Sequence, residues 1–483
     1  MVGLTSTSAL EVGVDIGNLD VVLTMGFPGS FSSYWQQIGR AGRNGKSLSI
    51  LVCFDTPVDQ FFAKNPSALF DSKAEAASID TNNIFVIRNH ILASAKEIPL
   101  LMDSEYIISD RKIFGDRYDE VVDYLIKINS LYAVGDKGNR ILVPHPSCNN
   151  PARNISVRHI DPITISVYDD TINEVIDSLG YSRAFYELFE GAIYNHRAQQ
   201  YLVTKLDLSA ARAHCKPCCV SYFTGAMNTT SVNVLKIIEN NSFISNGTVN
   251  VIVKTYGYRK MCFKSGDLLE TGECSLPPMN FETRAIFMDI PLLVKKNVEK
   301  AGYNIYHAIH SVNHLFVAIA PMFTDCDVND LGTEHVYGYE HPYRILAYDK
   351  VAGGCGICDT LFNKSIGIIE RALMIVKNCE CLKDCGCPSC IFDHRCTNYN
   401  KDLSKAGAIK LLELLYEYAK DSINDNNNND NNNSTWSPTK IENKNIDQQK
   451  NKMMDYKTNR SMNVNPDDYK HLSNFEQDYD LLN

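Results

Sequence analysis

The stretch Cys379-Glu380-Cys381-Leu382-Lys383-Asp384-Cys385-Gly386-Cys387-Pro388-Ser389-Cys390, followed by Cys396, decides how the later part of the chain is read. Six cysteines fall within eighteen positions. Cys387 and Cys390 form a Cys-x2-Cys knuckle, and Pro388 fixes φ inside it, so the backbone turns and both sulfurs face one centre. Cys381 and Cys396 flank the knuckle at equal spacing. Four thiolates so placed close a tetrahedral site with Zn–S distances of about 2.3 Å. Lys383 and Arg395 favour the thiolate forms. The ligands read from this spacing are Cys381, Cys387, Cys390 and Cys396, with Cys379 or Cys385 as alternatives for the first position. The expected metal is a structural Zn2+, because flanked Cys-x2-Cys pairs in an intracellular chain read as metal sites.

Composition supports that setting. The chain has 483 residues, 44% hydrophobic and 22% charged, which is ordinary globular usage for several domains with sizeable cores. It opens without a basic, apolar leader, and no stretch reaches the ~20 apolar residues of a membrane helix. The expectation is therefore a reducing, intracellular compartment with no membrane partner, in which the 16 cysteines stay free of disulfides. A formal net charge of −10 argues against a surface that attracts nucleic acid everywhere, but not against a local basic groove.

Toward the start, Val21-Val22-Leu23 and Leu48 to Phe54 read as buried strands of a parallel α/β sheet. Between them stands Gln36-Gln37-Ile38-Gly39-Arg40-Ala41-Gly42-Arg43. Its arginines lie three apart, on neighbouring turns of one helix face, where guanidinium groups suit phosphate oxygens. Upstream lies Thr7-Ser8-Ala9-Leu10-Glu11-Val12-Gly13-Val14-Asp15-Ile16. In order and spacing the pair resembles motifs V and VI of superfamily 2 helicases. That resemblance implies a second RecA-like domain. Thr7 would touch the nucleic-acid backbone, Gly13 and Asp15 would sit at the nucleotide, and Gln36 would link the two sites. Arg40 and Arg43 would reach the γ-phosphate of ATP bound with Mg2+, Arg43 as the arginine finger. Neither a Gly-x4-Gly-Lys-Ser/Thr loop nor an Asp-Glu box precedes these motifs. The expectation is thus the C-terminal portion of a helicase whose N-terminal RecA-like domain is missing, with no ATP hydrolysis by this chain alone.

The remainder resembles helicases of the MrfA/YprA (mitomycin repair factor) type. Phe61 to Pro66 and Asn89 to Leu100 look like the linker and helix after the motor, with Ile91, Leu92 and Ala95 on one apolar face and Pro99 as the stop. A helix over Tyr118 to Ile126 and two strands around Gly135-Asp136-Lys137-Gly138-Asn139 read as the end of a winged helix, with Lys137 and Arg140 on the wing. Ile163 to Val167, Gly191 to His196, Gln200 to Asp207 and Val249 to Tyr258 read as strands of a small β domain. Ile305, Ile309, Val312, Phe316 and Ile319 repeat at helical spacing. Beside them His307, His310 and His314 resemble the family's His-x-x-Glu-His, except that Asn313 replaces the Glu. The histidines are expected to hydrogen-bond within the core around Asp325-Cys326-Asp327 and Asp330. Tyr348-Asp349 before Gly353-Gly354 also matches, with Ala352 where the family places proline. Asn398 to Ile409 resembles the closing helix. The Asn-rich run from Asn424 cannot bury enough apolar surface to order itself.

The expected fold class is multidomain α/β plus α+β. Residues 1–60 are the C-terminal part of a second RecA-like domain with a partial parallel sheet. Residues 61–148 are a linker and winged helix, 149–290 a small β-rich domain, 291–420 a helical Zn-binding domain, and 421–483 a disordered tail. The family implies 3′ to 5′ movement on single-stranded or forked DNA in repair, and a nuclear location. The alternatives are a non-catalytic, zinc-stapled nucleic-acid-binding module and a metallohydrolase using His310 and His314.

Overall fold

The computed structural model describes residues 3–11, 19–42, 45–75, 77–101, 105–135, 140–148, 150–156, 161, 163–274, 276–334 and 343–429. Two compact units divide the chain: residues 1–87 with 155–421, and residues 88–154 with 422–483. Among the described residues no helix is long and apolar enough to cross a membrane.

In the first unit the strand Val21–Met25 lies parallel to Leu48–Val52. A parallel pair needs a crossover, and the helix Phe31–Ile38 provides it. Ser30 caps that helix from extended backbone, its Oγ accepting from Ser33 N at 3.0 Å. The Glu75 carboxylate accepts from the Phe31 and Ser32 amides at 2.5 and 3.1 Å, an anion where the helix end favours one. Phe31 and Tyr34, one turn apart, join Val58, Phe61 and Phe62 of the helix Pro57–Lys64 in the main core. The register pairs Val21 with Leu48, Leu23 with Ile50 and Met25 with Val52. Side chains alternate along a strand, so these six share one face. Among the described residues that face is largely open: the six are 36–61% exposed.

A five-stranded sheet follows, in the order Glu174–Gly180, Thr164–Asp169, Arg212–Cys218, Gln199–Asp207, Ile193–His196. Ile165 and Val167 enter its core with Leu179, Val203, Ala213 and Cys215. The strands Ile193–His196 and Gln199–Asp207 form a hairpin that turns on Arg197 and Ala198, with φ of 48° and 63°, the left-handed pair that a two-residue hairpin loop demands.

The larger sheet runs Tyr222–Asn241, Ile244–Cys262, Met279–Asp289, Arg344–Asp349, Leu331–Gly332, with Leu268–Glu273 beside Ile244–Cys262. Arg344–Asp349 belongs to the segment read as the zinc domain, so one sheet joins the segments 149–290 and 291–420. The helix Ile305–Ile319 packs on Arg344–Asp349 and on the helix Ser365–Asn378, and Ile357–Asn363 packs on Met279–Asp289. Ile305, Ile309, Val312, Phe316 and Ile319 are all buried, as their spacing requires. Asp349 is buried and accepts from the Cys355, Gly356 and Cys358 amides at 2.8, 3.1 and 3.0 Å, which fixes the turn Gly353-Gly354-Cys355-Gly356. Asn83 docks that turn by donating to the carbonyls of Ala352 and Gly354 at 2.9 and 2.6 Å. The closing helix, Lys405–Asn429, continues into the Asn-rich run where order was expected to stop after Ala419. Once nucleated, a helix gains a bond for each residue it adds.

In the second unit the helix Tyr118–Lys127 buries Tyr118, Val121, Val122 and Leu125. Its sheet orders Leu100–Leu101, Ile141–Pro144, Leu131–Val134, all antiparallel. The turn residues 136–139, with Lys137, lie outside the described residues. Arg140 is exposed.

Candidate metal centre

The helix Ser365–Asn378 ends where Cys379 takes an extended conformation, which turns the chain toward the knuckle. Gly386 has φ of 79°, and a Cβ there would stand 2.3 Å from Ile391 Cγ1 and 3.1 Å from Cys390 Sγ, so only glycine fits. The Cys390 amide donates to the Cys387 carbonyl at 3.0 Å, and the Cys387 amide approaches Cys390 Sγ at 3.2 Å.

This geometry brings together Cys379, Cys381, Cys387 and Cys390. Their sulfurs lie 3.5 Å (Cys379–Cys387), 3.8 Å (Cys381–Cys390) and 3.7 Å (Cys387–Cys390) apart. Disulfide sulfurs lie about 2.05 Å apart. A tetrahedron with Zn–S of about 2.3 Å spaces its sulfurs by about 3.8 Å. The donor set and its spacing therefore fit zinc. Electrostatics agree. Burial pushes the Cys390 and Cys379 thiols up, whereas Cys381 is held below its ordinary value, against burial, by hydrogen bonds from its neighbour thiols and Lys405. Crowded thiols do not all ionise without a cation, and a metal ion supplies it.

The grouping differs from the one read along the chain. Cys379, an alternative for the first position, stands in the cluster together with Cys381. Cys396 is placed apart, buried beside His310 and His314. Sequence spacing sees the distance to the knuckle, but not the fold-back of Cys396 onto the helix Ile305–Ile319. Cys385 is exposed. The cation at the cluster is Lys405, whose Nζ donates to the Cys379 and Cys381 carbonyls at 2.6 and 2.8 Å and reaches Cys381 Sγ at 3.4 Å. Arg395, expected in that role, instead pairs with Asp393 at 2.8–2.9 Å and with the Val328 carbonyl. Lys405 lies beyond the cysteine run, and no local signal marks it.

His310 and His314 present Nδ1 to the carbonyls of Asp402 and Ile391 at 3.3 and 2.9 Å, which are not the partners expected around Asp325 to Asp330. Asn313 Oδ1 accepts from the Leu346 amide at 3.0 Å, so the position of the family's Glu serves the core here. A cleft of about 330 Å3 adjoins the cluster, lined by Phe61, Lys64, Met374, Cys379 and Cys381 among others.

Of the residues expected at the nucleotide, Gly13, Asp15 and Arg43 lie outside the described residues. Thr7 Oγ1 accepts from Ala9 N at 3.5 Å and caps the short helix Ser8–Leu10. Arg40 donates to the Glu11 carbonyl, and Gln37 Nε2 donates to the Glu11 carboxylate at 2.6 Å. The two motifs are thus tied by Gln37 and Arg40. Gln36, expected to link the nucleic-acid and nucleotide sites, is exposed and donates to Ser32 Oγ at 3.4 Å.

Two family models match: the MrfA Zn-binding domain over residues 312–391 and the helicase conserved C-terminal domain over residues 3–45. The first span contains Cys379, Cys381, Cys387 and Cys390 and stops short of Cys396. Among curated relatives, the uncharacterized ATP-dependent helicase YprA of Bacillus subtilis is 30% identical over 401 residues, covering 81% of this chain and 51% of the relative. The ATP-dependent helicase hrq1 of Schizosaccharomyces pombe is 27% identical, covering 86% and 40%. The chain thus spans about half, or less, of these relatives' own length. Among solved structures, that of the DUF1998 helicase MrfA is 26% identical with a TM-score of 0.53, covering 83% of this chain and 54% of that one. With a segment matching the helicase conserved C-terminal domain at one end and one matching the MrfA Zn-binding domain at the other, the chain is similar to helicases of the MrfA/YprA type.

Proposed function

We propose that this chain is the C-terminal portion of an ATP-dependent DNA helicase, moving 3′ to 5′ along single-stranded or forked DNA in repair. The observation that carries the reading is the uncovered apolar face of the parallel strand pair. Six side chains of Val, Leu, Met and Ile stand in register and, among the described residues, are left 36–61% exposed. A two-stranded sheet with a bare apolar face is marginal by itself and calls for further strands or helices. The natural occupant is the rest of a RecA-like domain, with its partner domain carrying the phosphate loop. ATP with Mg2+ would then sit between them, contacted by Gly13 and Asp15 on this side. Arg40 and Arg43 would stabilise charge developing on the transferred phosphoryl group, Gln36 would stand beside them, and Thr7 would meet the DNA backbone.

Zinc at Cys379, Cys381, Cys387 and Cys390 would have no open position, so its role is structural. It would hold the end of the helix Ser365–Asn378 to the start of Lys405–Asn429 through Lys405.

DNA-stimulated ATP turnover tests the reading, measured for this chain and for the same chain extended upstream through a phosphate loop. Turnover by the extended chain alone supports it. If neither turns over while single-stranded DNA still binds with a salt-dependent affinity, the chain is a zinc-stapled binding module instead.

A further inference from the structure

The group around Cys396 has the makings of a second metal site. His310 and His314 lie four residues apart on the helix Ile305–Ile319, so both project from one face. Both are buried, as is Cys396, and the three candidate ligand atoms lie within 4.8 Å of one another. Cys396 Sγ stands 3.5 Å from His310 Nε2. A carbonyl oxygen only accepts hydrogen bonds. The contacts of His310 Nδ1 with Asp402 O and of His314 Nδ1 with Ile391 O therefore put the ring proton on Nδ1 in both. In a neutral imidazole that puts the lone pair on Nε2. This is how ligating histidines are oriented from outside a metal site: a carbonyl or carboxylate holds one nitrogen and the other meets the ion.

The loop that closes over the group is unusual in its backbone. Tyr399, Asn400 and Asp402 all have φ of 56–57°, the left-handed region, and Tyr399 has no local reason to be there. Asn400 N approaches Cys396 Sγ at 3.3 Å, and the Asp402 carbonyl is the one that orients His310. Such conformations persist where the surroundings over-determine them. The carbonyl that orients His314 belongs to Ile391, the residue after Cys390. The two groups are therefore adjacent but built from different side chains.

We propose that His310 Nε2, His314 Nε2 and Cys396 Sγ hold a second borderline-soft divalent cation of the zinc class, separate from the four-cysteine site. Two imidazoles and one thiolate suit zinc, with water in the fourth position. The site staples the helix Ile305–Ile319 to the loop after the knuckle. It performs no hydrolysis, because Asn313 supplies no general base and its side chain is committed to the Leu346 amide.

X-ray absorption at the zinc edge, with zinc counted per chain, tests this on the unmodified 483-residue chain saturated with zinc in reducing buffer and then desalted. The proposal expects two zinc ions per chain and a first shell mixing sulfur with nitrogen. One zinc per chain, or an all-sulfur shell, overturns it. Cys396→Ser should lower the count by one and leave an all-sulfur shell, and His314→Gln should do the same. An unchanged count in both variants overturns the assignment. The absorption result on the unmodified chain stands even where a variant does not fold.

Discussion

The cysteine-bound helical region and the parallel strand pair sit in one unit and share one core, yet they are finished to very different degrees. In the first, Ile305, Ile309, Val312, Phe316 and Ile319 are all buried, Asn313 and Asp349 satisfy backbone amides, and four sulfurs converge at tetrahedral spacing. In the second, the helix Phe31–Ile38 buries Phe31 and Tyr34 toward that same core, but the sheet behind it leaves Val21, Leu23, Met25, Leu48, Ile50 and Val52 open. One region is complete by its own contacts. The other leaves an apolar strand face largely open among the described residues.

The sharpest way to break the finished side is to remove the knuckle. Cys387→Ser with Cys390→Ser should lose the four-cysteine metal and the cooperative melt of the helical region. Structural zinc contributes about 10–16 kcal/mol in small zinc-bound folds, more than a domain can spare. Zinc content and a circular-dichroism melt check this.

On the unfinished side, Leu23→Asp with Ile50→Asp should leave the stability of the present chain within about 0.5 kcal/mol. In a chain extended upstream the same pair should cost about 3–6 kcal/mol, since burying each such side chain is worth about 1.5–3 kcal/mol. Denaturant midpoints of the two lengths make the comparison.

Arg395→Ala should cost about 3 kcal/mol, because it removes the guanidinium from the largely buried Asp393 carboxylate and leaves it the residue-395 amide. Burial alone would raise the Asp393 carboxyl, but the Arg395 guanidinium holds it at about 2. A depressed value stabilises the fold at pH above the ordinary carboxylate range, and that contribution fades as pH falls toward 2. Urea melts between pH 7 and pH 3 should therefore show a variant that is weaker at neutral pH and closer to the parent in acid. The smallest effect is expected at Lys405→Met. Loss of its contacts to Cys379 and Cys381 should weaken zinc binding about 10- to 100-fold, measured by competition with a chelator.

Much of the finished region was legible in the sequence because its signals are local. The apolar repeat of the helix Ile305–Ile319 and the Cys-x2-Cys knuckle depend on neighbours a few residues away. What escaped depends on distant contacts. Spacing along the chain favoured Cys396 over Cys379, because the fold-back that seats Cys396 against His310 is made by the whole helical layer. Lys405 reaches the sulfurs from the next helix. The strand Tyr222–Asn241 was missed because its many Asn, Thr and Ser positions carry little alternation, and it lies at a sheet edge where one side goes unpaired.

Amide hydrogen exchange across Val21–Met25 and Leu48–Val52, in this chain and in one extended upstream, tests the contrast most directly. Both strands should exchange quickly in the present chain and become strongly protected in the longer one, while the helix Ile305–Ile319 stays protected in both. Equal, slow exchange of the two strands in the present chain would mean that the pair is already complete, and the half-motor account would be wrong.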